Sequence, residues 1–317
     1  MDTIPPPPAA KDFLSILDLG HEDIDSLLVL ARQMKGDRSL GPQAPTARSL
    51  AGMHVALLFE KPSLRTASTF EIAIRELGGD VLNLPAQFAN GGREPLEDVA
   101  RNLERWVKAL VIRTFAQSRA IAMGAAAPSL HVINALTDEE HPCQALADAM
   151  TMLEQWESLE GRTVAFVGDG NNVATSLAHV TSMLGATLRV ASPAGYELPD
   201  AVIADARQVA RNGAVVKRFA DATEAVAGAD AVYTDVWTSM GEEGEAENRK
   251  RIFLPFQVNA DLMRAAGKQA IFMHCLPAHR GEEVTHDVIE SPASVVFDQA
   301  ENRLHVQKAL LSMLFGR

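Results

Sequence analysis

The chain has 317 residues, 47% of them hydrophobic and only 5% aromatic, with a formal net charge of -12 and a pI near 5.2. That length accommodates two domains of ordinary size, and the composition excludes a disordered or fibrous chain. The acidic balance opposes broad electrostatic attraction to nucleic acid or to an anionic membrane, so a small molecule is the expected partner.

The opening MDTIPPPPAAKDF has no basic segment leading into an apolar one, and no later apolar run is long enough to cross a bilayer. A cytoplasmic, unanchored protein is expected. The prolines predict an extended, poorly ordered lead-in, after which DFLSILDLGHEDIDSLLVLARQM reads as one or two helices. From Met53 onward short apolar runs alternate with amphipathic segments. MHVALLFE precedes a helix in which Phe70, Ala73, Ile74 and Leu77 recur at helical spacing; DVLNL, a helix over 96–110, LVIRTF and LHVINAL follow. A long helix is predicted over HPCQALADAMTMLEQW. After SLEGR the alternation restarts with the strand-like runs TVAFVGDG, TLRVASP, AVVKRF, DAVYTDVW, AIFMHCLP and ASVVFD. This order predicts an α/β protein of two doubly wound parallel-sheet domains. The leucines of NRLHVQKALLSMLF suit a helix with one buried face, expected to pack back on the first domain. The expected division is a first domain over 1–148, with 303–317 returning to it, and a second over 149–302, with the reaction site in the cleft between them.

In open parallel sheets ligands bind beyond the carboxyl ends of the strands. Those places carry Ser63, Arg65 and Thr66, then Arg113, then His141 and Gln144; in the second half they carry Asp169, Asn171 and Asn172, then Asp235 and Ser239, then His274 and Cys275. The first set is cationic or rich in donors and suits a phosphate; the second offers carboxylates, amides and a thiol and suits an amine. FEKPSLRT ends a strand and opens a helix, where unpaired N–H groups and the helix dipole favour an anion. Each residue also has an ordinary reading: Ser63 and the paired asparagines as helix caps, His141 as a cap before Pro142, Cys143 as core filling, Cys275 as a buried inert thiol, and Asp235 as a structural cap. The 2 cysteines each sit in a histidine-containing cluster without disulfide or metal spacing, which fits a reducing compartment. GDGNNVATS invites a dinucleotide reading, but it lacks the third glycine and carries asparagines where a pyrophosphate would approach.

FEKPSLRT, HPCQALAD, GDGNNV, DVWTSMGE, HCLPAHRGEEVT and AENR follow one another as in the transcarbamylase family, which the sequence resembles over nearly its whole length. The SMG loop and HCLP followed by AHRG resemble the branch that takes ornithine as acceptor. The resemblance implies transfer of a carbamoyl group from carbamoyl phosphate to L-ornithine, giving citrulline and phosphate, with no metal and no organic cofactor, by a trimer or a multiple of it. It also implies site roles. Ser63, Leu64, Arg65 and Thr66 would hold the phosphate, and Arg113 would bridge phosphate and carbonyl oxygen. His141 and Thr66 would polarise the carbonyl, and Gln144 would bind the carbamoyl amide. Arg303 would add positive charge, with Cys275 and the Leu276 carbonyl beside the attacking amine. Asn172, Asp235, Ser239 and Met240 would bind the amino acid end of ornithine. Departures from the family pattern are Leu64 and Ala67 in SLRTA, and Ala89 and Arg93 near a loop that in the family reaches a neighbouring subunit. Rival readings are a catalytically silent paralogue, an oxidoreductase using GDGNN for NAD, and a transcarbamylase with another amine acceptor. The presence of Arg65, Arg113, His141, Gln144, Asp235, Cys275 and Arg303 argues against the silent paralogue.

Overall fold

The computed structural model describes residues 4–88, 94–238 and 243–316. Two compact units divide the chain: residues 1–150 with 301–317, and residues 151–300. Unit 1 opens with a single 3-10 turn, Ile16–Asp18, and α1 (His21–Gly36). It continues through β1 (His54–Phe59), α2 (Leu64–Glu76), β2 (Asp80–Leu84), α3 (Leu96–Leu103), β3 (Ala109–Arg113), α4 (Gln117–Ala126), β4 (His131–Leu136) and the start of α5 (Pro142–Trp156). Unit 2 contains β5 (Thr163–Val167), α6 (Asn172–Met183), β6 (Thr187–Ala191), α7 (Asp200–Gln208), β7 (Val216–Phe219), α8 (Ala222–Val226) and β8 (Ala231–Thr234). It is completed by α9 (Ala246–Phe253), α10 (Ala260–Ala265), β9 (Ile271–His274), α11 (His286–Ile289) and the first turn of α12 (Val296–Phe315).

Both sheets are wholly parallel, with strand orders β2-β1-β3-β4 and β7-β6-β5-β8-β9. Each order reverses direction once, between β1 and β3 in the first sheet and between β5 and β8 in the second. At such a switch point the two following loops leave on opposite faces and open a crevice at the strand ends. Strands buried on both faces read as unbroken apolar runs, which is why HVALL, ALVI, TVAFV and AVYT were legible in the sequence. Leu58, Leu110, Ile112 and Val132 join Leu103, Met123 and Leu130 in the core of the first unit, and Val167, Val232 and Phe272 join Val226, Val258 and Ile289 in the second.

Two expectations are corrected. The segment ASVVFD is not a strand: Ser294 makes one parallel bridge to Phe272, and the chain enters α12 at Val296. Its valines are buried against the unit 2 core from a helix start, so a β-branched run was mistaken for a pleated one. The helix begun at Leu96 ends at Leu103, because Ala109 and Leu110 pair with Val55 and Ala56 of β1. Just after the proline-rich lead-in the chain is tied down, where Phe13 N donates to Val132 O at 2.9 Å and Asn134 N donates to Phe13 O at 2.8 Å.

Candidate active site

In unit 1 the first donors come from the β1–α2 turn. Ser63 is the N-cap of α2, its hydroxyl accepting from Thr66 N at 3.1 Å. That takes the Thr66 N–H for the cap and leaves the first turn to present the rest. Leu64 is 79% exposed, so a contribution from this position is a backbone one. Arg113 ends β3 directly opposite Phe59, and the register with β4 shifts between Ile112 and Arg113. A bulge there re-aims the side chain that leaves the sheet.

His141 precedes Pro142, the first residue of α5, which has no N–H to leave unsatisfied. The turn before it is pinned: Thr137 Oγ1 donates to Gln117 Oε1 at 2.5 Å, Glu140 N donates to Thr137 Oγ1 at 3.2 Å, and Ser15 Oγ donates to Glu140 Oε1 at 2.5 Å. His141 is buried, and its imidazolium is held well below the ordinary histidine range, first by burial and then by the charges of Arg303, Arg113 and Arg65. The ring is therefore neutral at pH 7. Arg303 comes from α12: Nη1 donates to Gln144 Oε1 at 2.6 Å and Nη2 to Thr66 Oγ1 at 2.8 Å. Three guanidinium groups around one neutral imidazole at a helix N-terminus make a site for an anion with more than one charge. Missing from the sequence reading was Asp148, which accepts from Gln144 Nε2 at 2.8 Å. Its place four residues after Gln144 on a predicted helix was the available signal.

In unit 2 Asn171 caps α6, its Oδ1 accepting from Val173 N and Ala174 N at 3.0 and 3.1 Å. Its Nδ2 donates to Asp235 Oδ2 at 2.8 Å, across the switch point. Cys275 Sγ, just past β9, donates to the other Asp235 oxygen at 2.9 Å. The paired asparagines thus divide their work: Asn171 caps and orients Asp235, while Asn172 is the first residue of the helix. His274 is fully buried, with Nδ1 accepting from Leu276 N at 2.8 Å, so the proton lies on Nε2 facing Glu283 Oε1 at 3.1 Å. Leu276 itself has φ +56°, a left-handed backbone that a branched side chain adopts at a cost and that turns its carbonyl out of the strand direction. Donor atoms of Asp235, His274 and Cys275 lie within 4.8 Å of one another, as a divalent ion would need. Both ring nitrogens of His274 are already engaged, however, which favours a hydrogen-bonded network over ligation. Arg249, also not singled out in the sequence, is buried on α9. It donates to Asp169 and to the Trp237 carbonyl, and lies 4.8 Å from the Tyr196 ring centre.

Gly170 explains why GDGNN resembles a dinucleotide fingerprint: a Cβ there would lie 2.3 Å from Leu198 N and 2.6 Å from the Glu197 carbonyl carbon. Its glycine serves close chain packing. Of the residues singled out in the sequence, Ser239, Met240, Ala89 and Arg93 lie outside the described residues.

Residues 11–154 match the family model for the aspartate/ornithine carbamoyltransferase carbamoyl-P binding domain, and residues 160–314 match its Asp/Orn binding domain. The chain belongs to the aspartate/ornithine carbamoyltransferase family. It is 47% identical over 310 residues to an ornithine carbamoyltransferase of Thermococcus kodakarensis, covering 97% of each chain. It is 48% identical over 310 residues to the anabolic ornithine carbamoyltransferase of Pyrococcus furiosus, again over 97% of each. The solved ornithine carbamoyltransferase from Pyrococcus furiosus superposes with a TM-score of 0.92 at 47% identity, covering 98% of both chains.

Proposed function

We propose that this chain transfers the carbamoyl group of carbamoyl phosphate to the δ-amine of L-ornithine, forming L-citrulline and phosphate in arginine biosynthesis. The observation that carries the reading is the surround of His141, a neutral imidazole just before α5 among the charges of Arg303, Arg113 and Arg65. Attack on the carbamoyl carbon gathers negative charge on the carbonyl oxygen while phosphate departs. Cations and N–H donors already fixed in place stabilise that charge without reorganising. Arg65 and the first turn of α2, Ser63 to Thr66, hold the phosphate. Arg113 bridges phosphate and carbonyl oxygen, and His141 donates to that oxygen without adding a second proton load. Arg303, linked to both Thr66 and Gln144, adds positive charge near the carbonyl oxygen, and Gln144 receives the carbamoyl –NH2. In unit 2 Asp235 takes the α-ammonium group of ornithine with Asn172, Ser239 and Met240 around the amino acid end. Cys275 and the Leu276 carbonyl face the δ-amine, which must be neutral to attack. Catalysis is by orientation and electrostatics, with no covalent enzyme intermediate.

Residues 1–148 with 303–317 form the carbamoyl phosphate domain in this reading, and 149–302 the ornithine domain. A homotrimer or a multiple of trimers in a reducing cytoplasm is the assembly we infer. Exposed Leu82 and Trp106 on unit 1 and two free cysteines support it. Citrulline formation with ornithine, acetylornithine, aspartate and putrescine side by side tests the function. Ornithine should lead, by as much as roughly 10⁴-fold over putrescine, which leaves the Asp235 partners unmatched. Faster turnover of any other amine overturns the reading.

A further inference from the structure

Gln144 is held at the two ends of its amide by groups of opposite hydrogen-bonding character. Its Nε2 donates to Asp148 Oδ1 at 2.8 Å, and its Oε1 accepts from Arg303 Nη1 at 2.6 Å. An ionised carboxylate only accepts, and a guanidinium only donates. A flipped amide would set N–H against N–H at one end and oxygen against oxygen at the other. Asp148, Gln144 and Arg303 are 0%, 1% and 2% exposed, so water cannot repair either mismatch. The Gln144 oxygen is thereby fixed toward Arg303, and of its two lone pairs Arg303 uses one.

A buried carboxylate is an expensive way to fill space, and an apolar residue at 148 would pack the same volume at less electrostatic cost. Among the things a carboxylate does here that an apolar residue cannot is to distinguish the ends of the neighbouring amide. We propose that Asp148 is a positioning residue that sets acyl-group selectivity: by orienting Gln144 it presents an acceptor to the carbamoyl –NH2 and selects carbamoyl phosphate over acyl phosphates such as acetyl phosphate. Acetyl phosphate has the same charge and nearly the same shape, but a methyl where the –NH2 would donate. Arg65, Arg113 and the α2 N-terminus respond to the phosphate and cannot tell the two apart. The inference rests on carbamoyl phosphate being the donor substrate.

The test compares the unmutated chain with Asp148→Asn, whose amide can donate as well as accept and so leaves Arg303 alone to orient Gln144. Three ligands are measured by melting-temperature titration, without turnover: carbamoyl phosphate, acetyl phosphate and inorganic phosphate. In the unmutated chain carbamoyl phosphate should bind more tightly than acetyl phosphate. Asp148→Asn should weaken carbamoyl phosphate by roughly tenfold, as for a mispaired buried donor, while acetyl phosphate and phosphate shift less than about twofold. Gln144→Met, which removes the acceptor itself, should collapse the preference to the same level, and the double variant should go no further. Equal weakening of all three ligands, or an unchanged preference, overturns the inference. Should Asp148→Asn not fold, Asp148→Ser is read in the same way. Failure of both to fold also counts against it, since it makes Asp148 a requirement of the core rather than of selectivity. The citrulline assay is separate: a chain that prefers carbamoyl over acetyl phosphate but forms no citrulline retains this inference and loses the acceptor reading.

Discussion

His141 illustrates how a residue's role is set by its surroundings. In the sequence it was a histidine before a proline; in the fold it is a ring kept neutral first by burial and then by three arginines. The unfolded chain takes up a proton near the ordinary histidine value of 6.5, whereas the folded chain does not. Below that pH the unfolded state binds more protons, so stability is full above it and falls as pH drops. Urea unfolding at pH 7.5 and 5.5 should show a loss for the unmutated chain that exceeds that of His141→Gln, by at most about 1.4 kcal/mol per pH unit in this window. Equal losses would mean that His141 titrates normally in the fold. The two thiols differ for a similar reason. Cys143 is 1% exposed, and burial pushes its thiol up to about 12, whereas Cys275 is only partly buried. Iodoacetamide at pH 8 should therefore label one thiol per native chain, with peptide mass mapping placing it at Cys275; the second should react only in denaturant.

At the scale of elements, the caps link stability to the site. Ser63 satisfies one N–H of α2, and Ser63→Ala should cost about 1 kcal/mol, with Ser63→Gly costing less. Asn171 satisfies two N–H groups of α6 and also holds Asp235. Asn171→Ala should cost about 1–2 kcal/mol by chemical denaturation and, unlike Ser63→Ala, raise the KM for ornithine. An Asn171→Ala enzyme with an unchanged ornithine KM would show that Asp235 needs no orienting partner. The elements most legible in the sequence were those with a single pattern along their length. The buried strands and α5 are examples, and the Ser63 cap announced α2. Those misread were places where two patterns meet. ASVVFD carries β-branched residues into a helix start, and the stretch after Leu103 turns from helix to sheet within a few residues, because pairing with β1 decides its end.

For the whole molecule, the boundary of unit 1 falls within α5 and within α12. Family matching carries the acceptor domain to residue 314, whereas residues 301–317 pack with unit 1. The contacts explain this: Arg303 reaches Gln144 and Thr66, Lys308 Nζ lies 2.9 Å from Glu76 Oε2, and Ser312 Oγ lies 3.1 Å from Ser49 Oγ. Leu304, Val306, Leu310, Leu311 and Leu314 are all buried. A chain ending at residue 300 should lose the melting-temperature rise that phosphate brings to the full chain, because it lacks Arg303. Leu310→Ala in the full chain should lose about 2–4 kcal/mol of stability yet keep that rise. A truncated chain still stabilised by phosphate to the same extent would remove Arg303 from the anion site.

The sequence by itself determined the α/β alternation, the two parallel sheets, the strand ends at which chemistry had to sit, and the residue types found there. Backbone pairing and one-sided burial impose periods of two and about 3.6 residues, and these periods are written locally. Partnership is not written locally. Gln144 and Arg303 are 159 positions apart, Thr66 and Arg303 237, Asn171 and Asp235 64, and Asp235 and Cys275 40. The neutrality of His141, the orientation of Gln144 between Asp148 and Arg303, and the joint hold of Asn171 and Cys275 on Asp235 follow from distance and burial. Those quantities come into being only when folding brings remote segments together within each unit, and so the tertiary structure alone decided them.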